Sequence, residues 1–205
     1  MFFVLDQNGL AGNENLRRAM LVDRGRQFVE RHGWPLHIDG AGLEVDEYDD
    51  LAATYCMVAD ARRHLASARL RPAGTGCMVE RYFPGLWRPE LGHHVEITRF
   101  CSSPSLTPDE RLMAVSDLLL GLCRHCQREG IETFFGIVFP AMARALQQAG
   151  WPAEVLERMQ CADGTLLLAR WTPSEVVAWE IQERREFREE AWARRRKALD
   201  EPMVA

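Results

Sequence analysis

The sequence has no long apolar run. None of its stretches approaches the roughly 20 apolar positions that a membrane-spanning helix needs, so membrane insertion is not expected. It has no surplus of positive charge either. The 25 Lys and Arg stand against 30 Asp and Glu, and a formal net charge of −5 argues against a nucleic-acid partner. Met1 to Leu5 is apolar but too short for the core of a secretion signal and has no basic flank, so the expected location is the cytoplasm. A zinc-type ligand set is missing. Cys123, His125 and Cys126 form a C-R-H-C cluster, but no second CxxC or spaced His pair completes it, so no metal is expected. Cys56, Cys77, Cys101 and Cys161 are scattered and read as free thiols in a reducing compartment. Repeats and linkers are absent, which leaves one domain over 1–205 with a charged C-terminal helix at about 174–200.

What is present reads as an alternation of helices and strands. Residues 14–32 have apolar side chains at helical spacing, with Asn13 as a cap and Gly33 and Pro35 as a stop. A loop with an acidic run follows over 35–50. Thr54–Ala59 and His64–Arg71 predict an antiparallel hairpin, 72–92 is irregular, and Val95–Cys101 alternates as a strand. A helix is expected over 109–129 and a covered central strand over 132–139. A second helix follows from Pro140 to Gln148, then strands near 154–161 and 166–171, and Pro173 opens the last helix. The order predicts an α/β fold, a mixed sheet with helices on its faces. The run Arg194, Arg195, Arg196, Lys197 follows several glutamates and reads as a solvated helix of mixed charge.

Four clusters carry chemistry. Arg24 and Phe28 share one helix face, with Trp34 close behind, and an arginine fork is suited to a carboxylate. Residues 43–50, L-E-V-D-E-Y-D-D, suit a cationic ligand, although an acidic loop of this kind more often stays solvated. Arg69 interrupts a strand in S-A-R-L-R-P, 67–72. Glu96 stands inside V-E-I-T-R-F, 95–100. In a regular strand it shares a face with Thr98 and Phe100, while Val95, Ile97 and Arg99 share the other. A buried Glu is either paired or raised in pKa, and both states suit acid–base work.

Taken in order, these pieces resemble one family. The series is R-x-x-x-F at 24–28, Trp34, E-x-D-x-Y-D at 44–49, S-A-R-L-x-P at 67–72, F-P at 83–84, E-x-T-R-F at 96–100 and M-x-R-x-L-x-x-x-G-W at 142–151. It is similar to the LuxI-type acyl-homoserine-lactone synthases across about 130 residues. The resemblance implies a fold like that of the GNAT N-acetyltransferases, a mixed V-shaped sheet packed by helices on both faces. It implies acyl transfer from an acyl-carrier-protein or acyl-CoA thioester to the amine of S-adenosylmethionine, followed by lactone closure and release of methylthioadenosine. S-adenosylmethionine is then a substrate, and no cofactor is expected.

By the same resemblance Glu96 is the base, with Arg99, Asp46 and Asp49 in the catalytic polar set. Arg24, Phe28 and Trp34 belong to the cap over S-adenosylmethionine, Arg69 and Thr98 to the substrate site, and Phe83 to its wall. A bulge in the Glu96 strand would free backbone N–H groups for the thioester oxygen. Phe139 stands where relatives that prefer 3-oxo chains carry Ser or Thr, which points to an unsubstituted or unusual acyl chain. An acidic carrier protein would seek a basic surface, for which Arg111, Arg124, Arg128, Arg144 and Arg158 are candidates. Two other readings compete. An ordinary GNAT acyltransferase would need a glycine-rich pyrophosphate loop, where this chain has C-S-S-P-S-L-T-P at 101–108. A non-catalytic relative would have no reason to keep the whole polar set.

Overall fold

The computed structural model describes residues 1–60, 63–162 and 164–200. The side chains of 197–200, including Lys197 of the expected basic run, lie outside that description. The chain opens with β1 (Phe2–Asp6), α1 (Gln7–Ala11) and α2 (Glu14–Arg24), which passes directly into a π-helical stretch, Gly25–Arg31. The hairpin β2 (Thr54–Asp60) and β3 (Arg63–Pro72) follows, then α3 (Met78–Tyr82) and β4 (Val95–Ser102). The second half contains α4 (Pro108–Arg128), β5 (Phe134–Val138), α5 (Pro140–Gln148), β6 (Glu154–Cys161), β7 (Gly164–Trp171) and α6 (Glu175–Asp200).

Seven strands form one sheet in the order β1-β2-β3-β4-β5-β7-β6. Every pair is antiparallel except β4 with β5. That parallel pair is joined only at Val95–Phe134 and Glu96–Phe135, although both strands run on. The sheet therefore stops pairing at its centre. Just past this point a Cβ on Gly136 would sit 2.6 Å from the Ile97 carbonyl oxygen, so glycine is needed for the approach.

Strand alternation separates two environments. On one face Cys56, Val58, Ala66, Ala68, Leu70, Phe134, Ala169 and Trp171 meet α4 and α6 in a continuous apolar core. Thr107 and Glu110 form a full capping box at the start of α4, with Pro108 at the first helical position, and this fixes where the helix begins. On the other face the apolar residues fall into two groups. Tyr55 and Met57 pack beneath Leu10, Met20 and Leu21, and Phe135 and Leu168 pack with Val79, Leu86 and Leu91.

The structure corrects several expectations. Phe2–Asp6, for which no element was expected, forms β1 and pairs with β2 at the edge of the sheet. The helix over 14–32 is α-helical only to Arg24 and then widens into π turns, a form that concentrates at functional sites. Asn13 occupies the cap position but makes no side-chain capping bond there; its amide donates to the Gly9 carbonyl. The irregular 72–92 segment contains α3 and two short 3₁₀ turns. The face assignment in β4 also fails past Thr98. Arg69 pairs with Thr98 and Ser67 with Cys101, so Arg99 and Phe100 together stand opposite Ala68. That is a bulge. Arg99 adopts φ 52, and the extra residue puts it on the same face as Glu96 and Thr98 while Phe100 turns to the apolar core.

Candidate active site

Between the two apolar groups of the second face, β3 and β4 present a buried polar strip of Arg69, Arg71, Glu96 and Thr98. Arg24 comes down onto it from the end of α2, and the acidic loop folds over it from the side. Glu44, Asp46 and Asp49 of the run expected to remain solvated are drawn inward because three arginines neutralise them, while Glu47 and Asp50 stay partly exposed.

Arg24 donates from Nε to Glu44 at 2.5 Å and grips Asp49 with both terminal nitrogens at 2.9 Å. Arg69 donates to both oxygens of Asp46 at 2.5 and 3.0 Å, lies 2.9 Å from Asp49 and reaches Thr98 Oγ1 at 3.0 Å. Arg99 donates to Glu44 at 2.9 Å and lies 2.7 Å from Asp46. Three guanidinium groups and three carboxylates thus close a ring with balanced formal charge. The Tyr55 hydroxyl donates to Asp49 at 2.8 Å, and Gln7 donates to that hydroxyl and to the Asp49 carbonyl.

Burial would raise the Asp49 carboxyl, but Arg24 and then Arg69 reverse this and hold it below the usual carboxylate range. Burial likewise works against the Arg24 charge, and Asp49 and Glu44 more than restore it.

Glu96 is held differently. It is 1% exposed, and its oxygens accept from the backbone N–H groups of Met78 at 3.0 Å and Val79 at 2.8 Å. Burial pushes its carboxyl above the usual range, and the two amides pull it back part of the way. Unlike Asp46, Asp49 and Glu44, it has no arginine fork among the described residues. A carboxylate so placed retains affinity for a proton, as a general base requires.

Aromatic rings cover one side of the ring of charges. Phe28 stacks on Trp34 with centroids 5.1 Å apart and planes 4° apart, Trp34 meets Phe139 at 6.3 Å, and Arg99 lies 5.8 Å from the centre of the Phe28 ring. The structure therefore brings together Arg24, Phe28, Trp34, Asp46, Asp49, Arg69, Thr98, Arg99 and Phe139, with Glu96 beside them on β4. Phe83 is half-buried in the apolar group of Val79 and Leu86. Cys123 and Cys126 of the C-R-H-C cluster are buried in the apolar core, and the described residues contain no group of three potential metal ligands.

Several residues went unrecognised in the sequence. Glu44 joins two arginines and is the most buried carboxylate of the ring at 1% exposure. Its place in the E-x-D-x-Y-D pattern was the available signal. Tyr55 and Gln7 gave none. A second buried chain adjoins the site: Asp23 Oδ2 lies 2.8 Å from His64 Nδ1, and His64 Nε2 lies 3.0 Å from Ser67 Oγ. It ties α2, one residue before Arg24, to β3, two residues before Arg69.

A mixed sheet that parts at its parallel pair, with helices packed on its faces, places the chain in the GNAT-like class of acyltransferase folds. A solved acyl-CoA N-acyltransferase from Pseudomonas aeruginosa shares the fold at a TM-score of 0.53, with 17% identity over 83% of this chain and 98% of that one. Within that class the signature described as autoinducer synthase matches residues 9–178, and the chain belongs to that family.

An acyl-homoserine-lactone synthase of Ralstonia solanacearum is 25% identical over 167 residues, which cover 77% of this chain and 82% of that relative. One from Pseudomonas amygdali pv. tabaci is 26% identical over 151 residues, covering 71% of this chain and 66% of the relative. Among solved structures, the CoA-dependent acyl-homoserine lactone synthase BjaI, with SAM and isopentyl-CoA, superposes at a TM-score of 0.78, with 19% identity over 91% of this chain and 89% of that one.

Proposed function

We propose that this site acylates the amine of S-adenosylmethionine from an acyl thioester, closes the homoserine lactone and releases methylthioadenosine. The observation that carries the reading is the neutral ring of Arg24, Arg69, Arg99, Glu44, Asp46 and Asp49, lying beside Glu96, a buried carboxylate that accepts from two backbone amides and forms no ion pair among the described residues. S-adenosylmethionine brings a carboxylate, an ammonium and a sulfonium. The arginines suit the first and the acidic groups the other two. Phe28 and Trp34 offer flat faces to the adenosyl and sulfonium parts.

The amine must lose a proton before it attacks. Glu96 takes it, through a water where the amides of Met78 and Val79 occupy its oxygens. The nitrogen then attacks the thioester carbonyl, and the backbone freed at the Arg99 bulge holds the carbonyl oxygen as charge develops on it. The tetrahedral intermediate then collapses with cleavage of its C–S bond; the second nitrogen proton leaves with the thiol, and the first passes from Glu96 to solvent. In the second half the substrate carboxylate attacks the carbon next to the sulfonium, and methylthioadenosine leaves as a neutral thioether. Holding both substrates in one site supplies much of the rate. S-adenosylmethionine is consumed, and the scheme calls for no cofactor.

The donor is a thioester of acyl carrier protein or of CoA. Arg144 and Arg184 line a recess of about 370 Å³ with Gln147 and Gln148, a basic surface of the kind an acidic carrier would seek. Phe139 offers no hydroxyl to a 3-oxo group, so an unsubstituted or otherwise unusual chain fits better. A cytoplasmic location follows from these substrates; among the described residues no helix is long and apolar enough to cross a membrane.

The test is incubation with S-adenosylmethionine and a panel of acyl-CoA and acyl-carrier-protein thioesters, read by mass spectrometry. Acyl-homoserine lactone together with methylthioadenosine is the expected result and identifies the chain. Acylation of other amines with no S-adenosylmethionine binding would replace this reading with a plain acyltransferase.

A further inference from the structure

Tyr48 touches the ring of charges at one end and the backbone that holds Glu96 at the other. It belongs to the loop that supplies Glu44, Asp46 and Asp49, and it is buried. Its backbone N–H donates to Asp46 Oδ1 at 2.9 Å, so a member of the ring fixes where the residue starts. The guanidinium carbons of Arg69 and Arg71 lie 5.8 and 5.3 Å from the centre of its ring and keep the phenol in one orientation. The hydroxyl then donates to the Cys77 carbonyl at 3.2 Å.

That carbonyl belongs to the peptide unit whose N–H is that of Met78, the donor to Glu96 Oε2 at 3.0 Å. In a planar trans peptide the C=O and N–H point to opposite sides, so a bond to the oxygen also aims the hydrogen. The same bond polarises the peptide and strengthens its N–H as a donor. Arg71 donates to the two preceding carbonyls, those of Thr75 and Gly76, and the Cys77 carbonyl also accepts from the Arg81 N–H inside α3. A buried tyrosine needs some partner for its hydroxyl. Here the partner is the one peptide unit that separates it from the base.

We propose that Tyr48 is a positioning residue for Glu96: its hydroxyl sets the Cys77–Met78 peptide, and that peptide holds the base. The proposal rests on the reading of Glu96 as the base. It joins the two halves of the site. Asp46, at one end of the chain of contacts, belongs to the set offered to S-adenosylmethionine, and Glu96, at the other, takes the amine proton.

Few groups face Glu96. Arg71 stands opposite it on β3 but turns its fork to Asp50, and Arg69 acts on it from further along that strand. Phe135 stands opposite it on β5, and the Cys77 thiol and Tyr48 lie near it from α3 and the acidic loop. Tyr48→Phe leaves all of these in place, keeps the ring against Arg69 and Arg71, and removes one hydroxyl. The Met78 amide becomes a weaker donor. Because that amide draws the Glu96 carboxyl down, the midpoint of the carboxyl should rise by about half a pH unit.

The measurement is an infrared titration of the ligand-free chain, in which the protonated carboxyl band of Glu96 is the one that Glu96→Gln lacks. Its midpoint is expected to be higher in Tyr48→Phe, and the acidic limb of kcat should move with it, while calorimetric affinity for S-adenosylmethionine stays as in the wild type. Tyr82→Phe is the control. It frees α3 from Glu47 at the exposed end and leaves the Met78 peptide alone, so the midpoint should not move.

An unmoved midpoint in Tyr48→Phe overturns the proposal. So does an equal shift in Tyr82→Phe, which would reduce the effect to a loosened α3. Loss of S-adenosylmethionine affinity with the midpoint in place also overturns it and would make Tyr48 a wall of the ligand site. A shifted midpoint in a chain that gives no lactone with any donor would keep the link between Tyr48 and Glu96 and remove only the reaction proposed for it.

Discussion

Beneath α4 and α6 the sheet presents Ala66, Ala68, Leu70, Phe134 and Trp171, while the reverse of its central strands presents Arg69, Arg71, Glu96 and Thr98, just as deeply buried. The apolar face needs only volume and shape, and each side chain there gains by leaving water. The polar face carries groups that lose by it. Arg24, Arg69 and Arg99 remain buried because each has two carboxylates within reach, and the carboxylates remain because each has two arginines. Exchanging one apolar residue for another disturbs its neighbours, whereas removing one member of the ring leaves a buried charge without a partner. The apolar face therefore supports the fold by shape and volume, and the polar face holds a balanced pattern of buried charge.

The sharpest way to separate the faces is Glu96→Gln. Losing the base should lower turnover by about 10²–10⁴-fold, the usual contribution of a positioned general base, while S-adenosylmethionine still binds by calorimetry and the thermal transition persists. A variant that keeps its turnover would move the base elsewhere. Arg24→Ala comes next. Leaving Glu44 and Asp49 short of a partner should cost about 3–5 kcal/mol in denaturant unfolding and weaken S-adenosylmethionine binding as well. On the opposite face Leu118→Ala, at a fully buried position of α4, should cost about 2–5 kcal/mol through its cavity and leave turnover per folded molecule alone. If Leu118→Ala also lowered affinity for S-adenosylmethionine, the two faces would not be separable.

Acid should act on the polar face first. The Asp49 carboxyl lies below its unfolded value in the folded chain, so its contribution is complete above the unfolded pKa of about 3.9. It is lost as pH falls below that value towards the depressed folded one. Glu96 runs the other way. Its raised carboxyl binds a proton more readily folded than unfolded, so protonation favours the fold as pH drops. Unfolding free energy followed from about pH 4 to pH 2, below the window in which Glu96 takes up its proton, should decline in the wild-type chain. An Asp49→Asn chain should start lower and decline less.

How far the sequence disclosed all this differs between the same two faces. The sequence pattern indicated α2, α4, α5, α6 and the strands β2 to β7, and missed α1, α3 and β1, each only five residues long. The polar face was legible through the ordered spacing of Arg24, Asp46, Asp49, Arg69, Glu96 and Arg99, not through any local property of those residues. Locally, 43–50 looked like a solvated loop, because nothing near it in sequence shows that Arg24, Arg69 and Arg99 come from three other elements to neutralise it. Strict alternation put Arg99 on the wrong side because one extra residue in β4 cannot be seen without its partner strand. Asp23, His64 and Ser67 stayed hidden for the same reason, since their contacts span 41 and 3 residues and follow no local pattern.

That last chain gives the smallest of the expected effects and the finest test of where the polar face ends. Ser67→Ala removes one hydrogen bond to His64 and adds no charge, so the expected loss is about 1 kcal/mol in unfolding free energy. If Asp23, His64 and Ser67 only fasten α2 to β3, turnover and affinity for S-adenosylmethionine should be unchanged once the folded fraction is allowed for. If the chain also sets the spacing of Arg24 and Arg69, which share Asp49, the Michaelis constant for S-adenosylmethionine should rise with little change in kcat. Ser67→Thr, which keeps the hydroxyl, should then bring it back towards the wild-type value. A rise that Thr does not reverse would mean that packing at this position matters and the hydrogen bond does not.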